Sequence, residues 1–149
     1  LLRRCEDPET VINDAMGDLE RAVEQAWGDL SRQLDKQTRL REQFKVAQDA
    51  LADLHRRTRC SQHDHALRRR REEAQNRAED LQDMLLDLQS TVDGKQDALR
   101  EHHRRFELAR REQSLLVARA REARTASEVS ELLSCVMTHG TDCARLKEI

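Results

Sequence analysis

The side chains best able to do chemistry in this sequence are concentrated between residues 55 and 71. Seven of them are arginines, and Asp64 is the single acidic residue among them. Like charges this close together repel one another, so the stability of the fold does not explain their presence. They either dock on an acidic surface of a neighbouring subunit or on anionic lipid, or they form a solvated segment that binds nothing. The seven are Arg56, Arg57, Arg59, Arg68, Arg69, Arg70 and Arg71.

The same segment contains side chains of the types that bind zinc, namely His55, Cys60, His63 and His65. Cysteine sulfur and histidine nitrogen are common zinc ligands. However, the spacing of these four residues matches no standard zinc site, and the surrounding arginines oppose the binding of a cation. We therefore interpret the segment as a polar turn and predict no metal site.

Motifs for catalysis are missing from the sequence. It contains no glycine-rich phosphate loop and no nucleophile motif, and a chain of this composition builds no concave core in which a pKa could be shifted. We expect no enzymatic activity and no cofactor. We also expect no nucleic-acid partner, because no aromatic residue interleaves the arginines.

The composition favours long helices over a compact globular core. Charged residues make up 38% of the chain and aromatic residues only 2%, with a net charge of −2. No apolar run approaches the ~20 residues needed to span a bilayer. Four cysteines, Cys5, Cys60, Cys135 and Cys143, lie too far apart to match a disulfide framework, so we expect reduced thiols.

The first helix is predicted for residues 8–59, after an N-terminal segment and linker at residues 1–7. The linker consists of Glu6, Asp7 and Pro8, in which Asp7 can cap the helix and Pro8 suits its first position. Apolar residues then recur at the 3-4 spacing of a coiled-coil seam. The two rows of this seam are Ile12, Leu19, Ala26, Gln33, Leu40, Ala47 and Leu54, and Met16, Val23, Leu30, Gln37, Phe44, Leu51 and Thr58.

A turn is predicted at residues 60–64, with Ser61 or Asp64 capping the next helix. The seam continues through residues 65–138, which we assign to the second hairpin helix and its extension. A short turn makes the two helices antiparallel neighbours. Folding there pairs residues whose numbers sum to about 125, which places Phe44 opposite Leu81. The acidic first helix then faces an arginine-rich stretch, and each exposed ion pair adds only ~0.2–1 kcal/mol.

In this register the second helix is longer than the first, so residues from about Ala118 are expected to project beyond the base of the hairpin. Gly140 is predicted to act as a hinge that ends this extension. Residues 141–149 would then begin a further helix. The predicted fold is therefore all-α, with a long antiparallel coiled-coil hairpin followed by a further C-terminal helix.

The sequence allows two interpretations for a few residues in or beside the seam. Trp27 lies next to Ala26, and it either covers the seam or faces a neighbouring subunit; we slightly favour the seam. Polar seam positions at Gln33, Gln37 and Gln113 either set the register of the two helices or mark a solvated gap.

This arrangement resembles the phage-shock protein A family and its relative, the vesicle-inducing protein in plastids, within the ESCRT-III superfamily. Residues 1–8 (LLRRCEDP) resemble the end of the family's amphipathic first helix and its linker. Residues 11–19 (VINDAMGDL) resemble the opening of the first hairpin arm, and residues 138–141 (THGT) fall where the family interrupts its long helix. One departure is residues 65–71 (HALRRRR), where the family usually has an acidic, alanine-rich stretch.

The resemblance implies an ESCRT-III-like, self-assembling protein that polymerises into rods or rings and remodels or protects the membrane under stress. It implies a peripheral location on the inner face of the cytoplasmic membrane. The implied partners are other copies of the chain, an anionic membrane reached through a segment upstream of Leu1, and a regulatory protein. A plain coiled-coil scaffold or adaptor without membrane activity is the alternative.

Overall fold

The computed structural model describes residues 7–122 and 126–138. It contains three helices, α1 (Pro8–Cys60), α2 (His65–Glu122) and α3 (Ala126–Thr138), and no strand within those residues. The prediction of an all-α fold with two long helices packed together is confirmed. The predicted linker residue Glu6, the hinge Gly140 and the helix start at 141–149 lie outside the described residues.

Helix α1 begins where the linker meets Pro8. The backbone carbonyl of Asp7 accepts a hydrogen bond from the Val11 amide at 3.1 Å, which is the first i to i+4 bond of the helix. Proline suits this first position because its φ angle is already helical and its missing N–H needs no partner there. Glu9 adds a negative charge beside the positive end of the helix dipole.

Of the two candidate caps for the second helix, Asp64 is the one that acts. Its Oδ1 accepts a hydrogen bond from the Leu67 amide at 3.1 Å, and its own carbonyl accepts one from the Arg68 amide at 3.1 Å. The Asp64 amide donates to the Ser61 carbonyl at 3.2 Å, which closes the turn. A side chain that caps a helix in this way stabilises it by about 1 kcal/mol.

The chain divides into two compact units, and both long helices contribute to each. The first unit contains the residues up to Gly28 and those from Asp97 onward, and the second contains Asp29–Gln96.

In the second unit the predicted seam forms the core. Leu40, Leu81 and Leu88 are buried together, with Phe44 and Leu85 packed against them. The numbers of the hydrogen-bonded pair Gln37 and Gln89 sum to 126, and those of the ion pair Asp29 and Lys95 sum to 124, so the predicted register of about 125 is confirmed in this unit.

A buried polar pair lies within the same core. The Gln37 side chain is only 4% exposed, and its Nε2 donates to Oε1 of Gln89 on the facing helix at 2.6 Å. Gln89 in turn donates to Oδ1 of Asp93 at 2.8 Å. Since a buried amide without a partner is destabilising, this bond favours the observed register over a slipped one. The interpretation of Gln37 as a residue that sets the register is therefore the one that the structure supports.

Replacing Gln89 with Ala is expected to lower the free energy of unfolding by about 1–3 kcal/mol, because the amide of Gln37 stays buried without its partner. Urea denaturation followed by circular dichroism measures the change. Gln75→Ala is the matched control, since Gln75 bonds only to Glu79 on its own exposed helix face. The control should change stability by no more than about 0.5 kcal/mol. Equal losses in the two variants would contradict the assigned role of the pair.

In the first unit α3 joins the core formed by the two long helices. Ile12 and Leu19 of α1 are buried with Leu116 of α2 and Val129 of α3, and Leu133 packs against them. The remaining buried members of this cluster are Ala109 and Ala120. The Asn13 Oδ1 accepts a hydrogen bond from Gln113 at 2.9 Å.

Residues from about Ala118, which were expected to project beyond the base of the hairpin, contribute to the core of the first unit. Ala120 is only 1% exposed, and Val129 is 9% exposed. The ion pair between Glu9 and Arg121 places the first turn of α1 beside the last turn of α2. Val129 and Leu133 of α3 pack into the same core, and burying apolar surface there is favourable by about 25 cal/mol per Å². The described helices within residues 65–138 are α2 and α3.

The charged flanks form fewer contacts between the helices than we expected. Within the described residues, two ion pairs join α1 to α2: Lys95 with Asp29 at 3.6 Å, and Arg121 with Glu9. The other ion pairs connect residues three or four apart on one helix. The Glu101 carboxylate is an example, and hydrogen bonds from Arg104 and Arg105 lower its pKa. Charge complementarity therefore contributes little to the pairing, which the apolar seam provides.

Candidate functional site

The seven arginines occupy the last turn of α1 and the first two turns of α2, on either side of the turn at residues 61–64. The hairpin therefore brings them to one end of the second unit, as predicted. We call this group of seven residues the arginine tip. Six of the seven are exposed, and Arg71 is half-buried.

Two members of the arginine tip have an acidic partner outside it. Asp53, one turn earlier on α1, pairs with Arg57 at 3.0 Å and lies 3.7 Å from Arg56. Asp53 therefore compensates part of the positive charge of these two arginines within α1. Spacings of three and four residues on a helix place such side chains on one face, so the sequence already contained this signal.

The other five arginines of the tip form no ion pair with any carboxylate in the described part of the chain. Arg68 is held in place by a different contact, since its guanidinium donates to the backbone carbonyl of Gln62 in the turn. The five are Arg59, Arg68, Arg69, Arg70 and Arg71.

An open cavity of about 310 Å³ lies within the tip. Three of the unpaired arginines line it, together with His55, Thr58 and Gln62. Thr58 is 8% exposed, and its hydroxyl donates to the Leu54 carbonyl at 2.6 Å. Sequence reasoning identified the arginines but not the cavity, because its opening depends on how the two helices meet. The three arginines are Arg59, Arg68 and Arg71.

The cysteine and histidine residues near the arginine tip do not form a metal-binding cluster. No group of three or more His, Cys, Asp or Glu side chains is close enough to hold a metal ion anywhere in residues 7–122 and 126–138. Cys60 is an exposed free thiol at the end of α1. His55 lines the cavity instead.

Large apolar side chains are exposed on both units, and sequence reasoning singled out only Trp27 among them. Trp27 is 61% exposed, so our preference for a position over the seam is wrong. All of these side chains lie outside the heptad rows, and an apolar residue off the rows is the signal that could have found them. In the first unit they are Trp27 and Leu115, and in the second Leu34, Val46, Met84 and Leu86.

A further apolar feature of the second unit is a shallow groove. Val46, Ala47 and Ala50 of α1 line it together with Ala74 of α2. None of the described helices contains an apolar stretch that could cross a bilayer.

No family model, curated protein or solved structure matches this chain.

Proposed function

We propose that this chain is a self-assembling, peripheral membrane protein of the phage-shock type, with an ESCRT-III-like hairpin as its building block. It polymerises into rods or rings, and the polymer remodels or protects the bilayer on the inner face of the cytoplasmic membrane. The membrane contact is made by a segment upstream of Leu1, and a regulatory protein is a further partner. The support for this proposal comes from surfaces on each unit and from the resemblance of residues 1–8, 11–19 and 138–141 to that family.

The exposure of Trp27 is the observation that carries self-assembly. A tryptophan side chain buries 150–250 Å² when it is covered, and leaving it 61% exposed forfeits much of that favourable burial. Tryptophan is also among the residues that dominate the energy of protein interfaces. Trp27 and Leu115 are the exposed large apolar side chains among the described residues of the first unit, and an exposed tryptophan is an apolar anchor of the kind that inserts into a partner.

The unpaired arginines provide a second, electrostatic contact for assembly. Carboxylates for them are available on the acidic first third of the chain, where Asp14, Glu20 and Glu24 form no ion pair within the described residues. Charge complementarity between copies speeds association and fixes which surfaces meet. Acidic and basic segments in one chain therefore suit contacts between identical subunits.

Replacing Trp27 with Gln is expected to raise the protein concentration needed for polymer formation by at least about tenfold, since an interface anchor contributes 2 kcal/mol or more. Sedimentation and negative-stain microscopy measure assembly. Thermal unfolding should be unchanged, because an exposed side chain adds little to the stability of the hairpin. Gln25→Ala, at an exposed neighbouring position, is the control and should assemble normally.

A wild-type chain that stays monomeric at all concentrations would contradict self-assembly. Polymers that form normally from a chain carrying the segment upstream of Leu1 but fail to bind vesicles would favour the coiled-coil scaffold without membrane activity.

A further inference from the structure

The cavity in the arginine tip lies where polar residues occupy seam positions near the turn. These are Thr58 and Arg71, whereas the buried seam positions of the adjacent core, Leu40, Leu81 and Leu88, are apolar. Thr58 is buried, and Arg71 is half-buried. The cavity is lined by residues of both helices and of the turn.

The walls of this cavity are rich in hydrogen-bond donors and contain no acidic residue. Three arginines line it, Arg59 of α1 and Arg68 and Arg71 of α2. Gln62 of the turn also lines it. The bond from Arg68 to the Gln62 carbonyl holds the Arg68 side chain at the rim before any ligand arrives, which reduces the entropy lost on binding.

Three uncompensated positive charges around one space create a strong local preference for an anion. A carboxylate carries one negative charge and two acceptor atoms, whereas a phosphate dianion carries two charges and more acceptor oxygens. Planar guanidinium groups bind phosphate oxygens through paired hydrogen bonds, and these charge-assisted bonds are about twice as strong as neutral ones. A volume of about 310 Å³ is at the lower end for ligand sites, which suits a small anionic group.

We propose that this cavity binds a phosphate dianion, either free in solution or as the phosphomonoester group of a lipid. Arg59, Arg68 and Arg71 hold the phosphate oxygens, and Gln62 donates from the turn. Arg69 and Arg70, which do not line the cavity, are left for contacts with other surfaces. The site stands on the geometry of the second unit alone and does not depend on polymer formation.

Titration calorimetry with inorganic phosphate at pH 8 and constant ionic strength tests the site. Wild-type protein should bind one phosphate for each chain. The Arg59→Gln/Arg71→Gln variant should bind at least about tenfold more weakly, because each lost bond to a charged group exceeds that factor. The variant keeps Arg68 and its bond to the Gln62 carbonyl in the turn, so its thermal unfolding should match that of the wild type.

The matched control is Arg69→Gln/Arg70→Gln, which removes the same charge from the same end of the hairpin. It should change phosphate affinity by less than about threefold, since charges outside the cavity act only through screened solvent. If both variants lose the same phosphate affinity, the binding is general electrostatic attraction, and the proposal is overturned. Phosphate binding that sodium acetate displaces at equal concentration would overturn it too, and so would the absence of phosphate binding to wild-type protein.

Vesicles distinguish the two sources of the phosphate. Vesicles of phosphatidylcholine with phosphatidic acid present a phosphomonoester, whereas vesicles with phosphatidylserine present a phosphodiester and a carboxylate. A lipid ligand predicts that wild-type protein binds the phosphatidic acid vesicles preferentially and that Arg59→Gln/Arg71→Gln abolishes the preference. A free ligand predicts one bound inorganic phosphate, with no such preference between vesicles.

Discussion

A Leu81→Asp variant is expected to lose more than about 3 kcal/mol of its free energy of unfolding. Leu81 is 8% exposed in the core of the second unit, beside Leu40 and Leu88. Truncating a buried leucine already costs 2–5 kcal/mol, and a buried carboxylate without a partner adds its own desolvation penalty. Urea denaturation monitored by helical circular dichroism measures the loss.

Met84→Asp is the matched control on the same helix. Met84 is 51% exposed, so the same charge placed there meets solvent and should change stability by no more than about 0.5 kcal/mol. Comparable unfolding curves for Leu81→Asp and the wild type would exclude the antiparallel pairing of α1 with α2 around this position.

The quadruple change of Arg68, Arg69, Arg70 and Arg71 to Gln is expected to shorten or abolish polymers while leaving the helices intact. Removing four like charges relieves repulsion at the tip. Assembly of the wild type should also weaken as salt rises, because exposed charges are screened beyond ~10 Å at about 0.1 M ionic strength. Negative-stain microscopy and sedimentation at several salt concentrations measure both effects.

The same four positions changed to Lys serve as the control, since lysine keeps the charge but lacks the planar fork of arginine. Recovery of polymers by the Lys variant would assign the contact to charge alone, whereas failure would assign it to paired hydrogen bonds. If the Gln variant forms normal polymers but loses vesicle binding, the arginine tip contacts lipid rather than another subunit. If the variant behaves normally in both assays, the arginine tip is a solvated segment that binds nothing.

The sequence by itself was sufficient to predict the hairpin. Rows such as Leu40 and Phe44 on one side and Leu81 and Leu85 on the other predicted both the core and its register. Turn chemistry around Asp64 and the first-turn position of Pro8 predicted where helices begin. These features depend on local spacing and on the 3.6-residue period of the helix, which the order of the residues records directly.

Only the tertiary structure decided how surfaces outside the rows are used. Ala120 is buried in the core that includes Val129, whereas Trp27 is exposed. The seam residue Gln37 bonds to Gln89, which lies outside the heptad rows. An open cavity lies beside Thr58. A periodic pattern identifies the apolar face of a helix, but it does not say which distant surface will cover that face. That choice depends on contacts between residues far apart in the chain, whose energies are known only once the helices are in place.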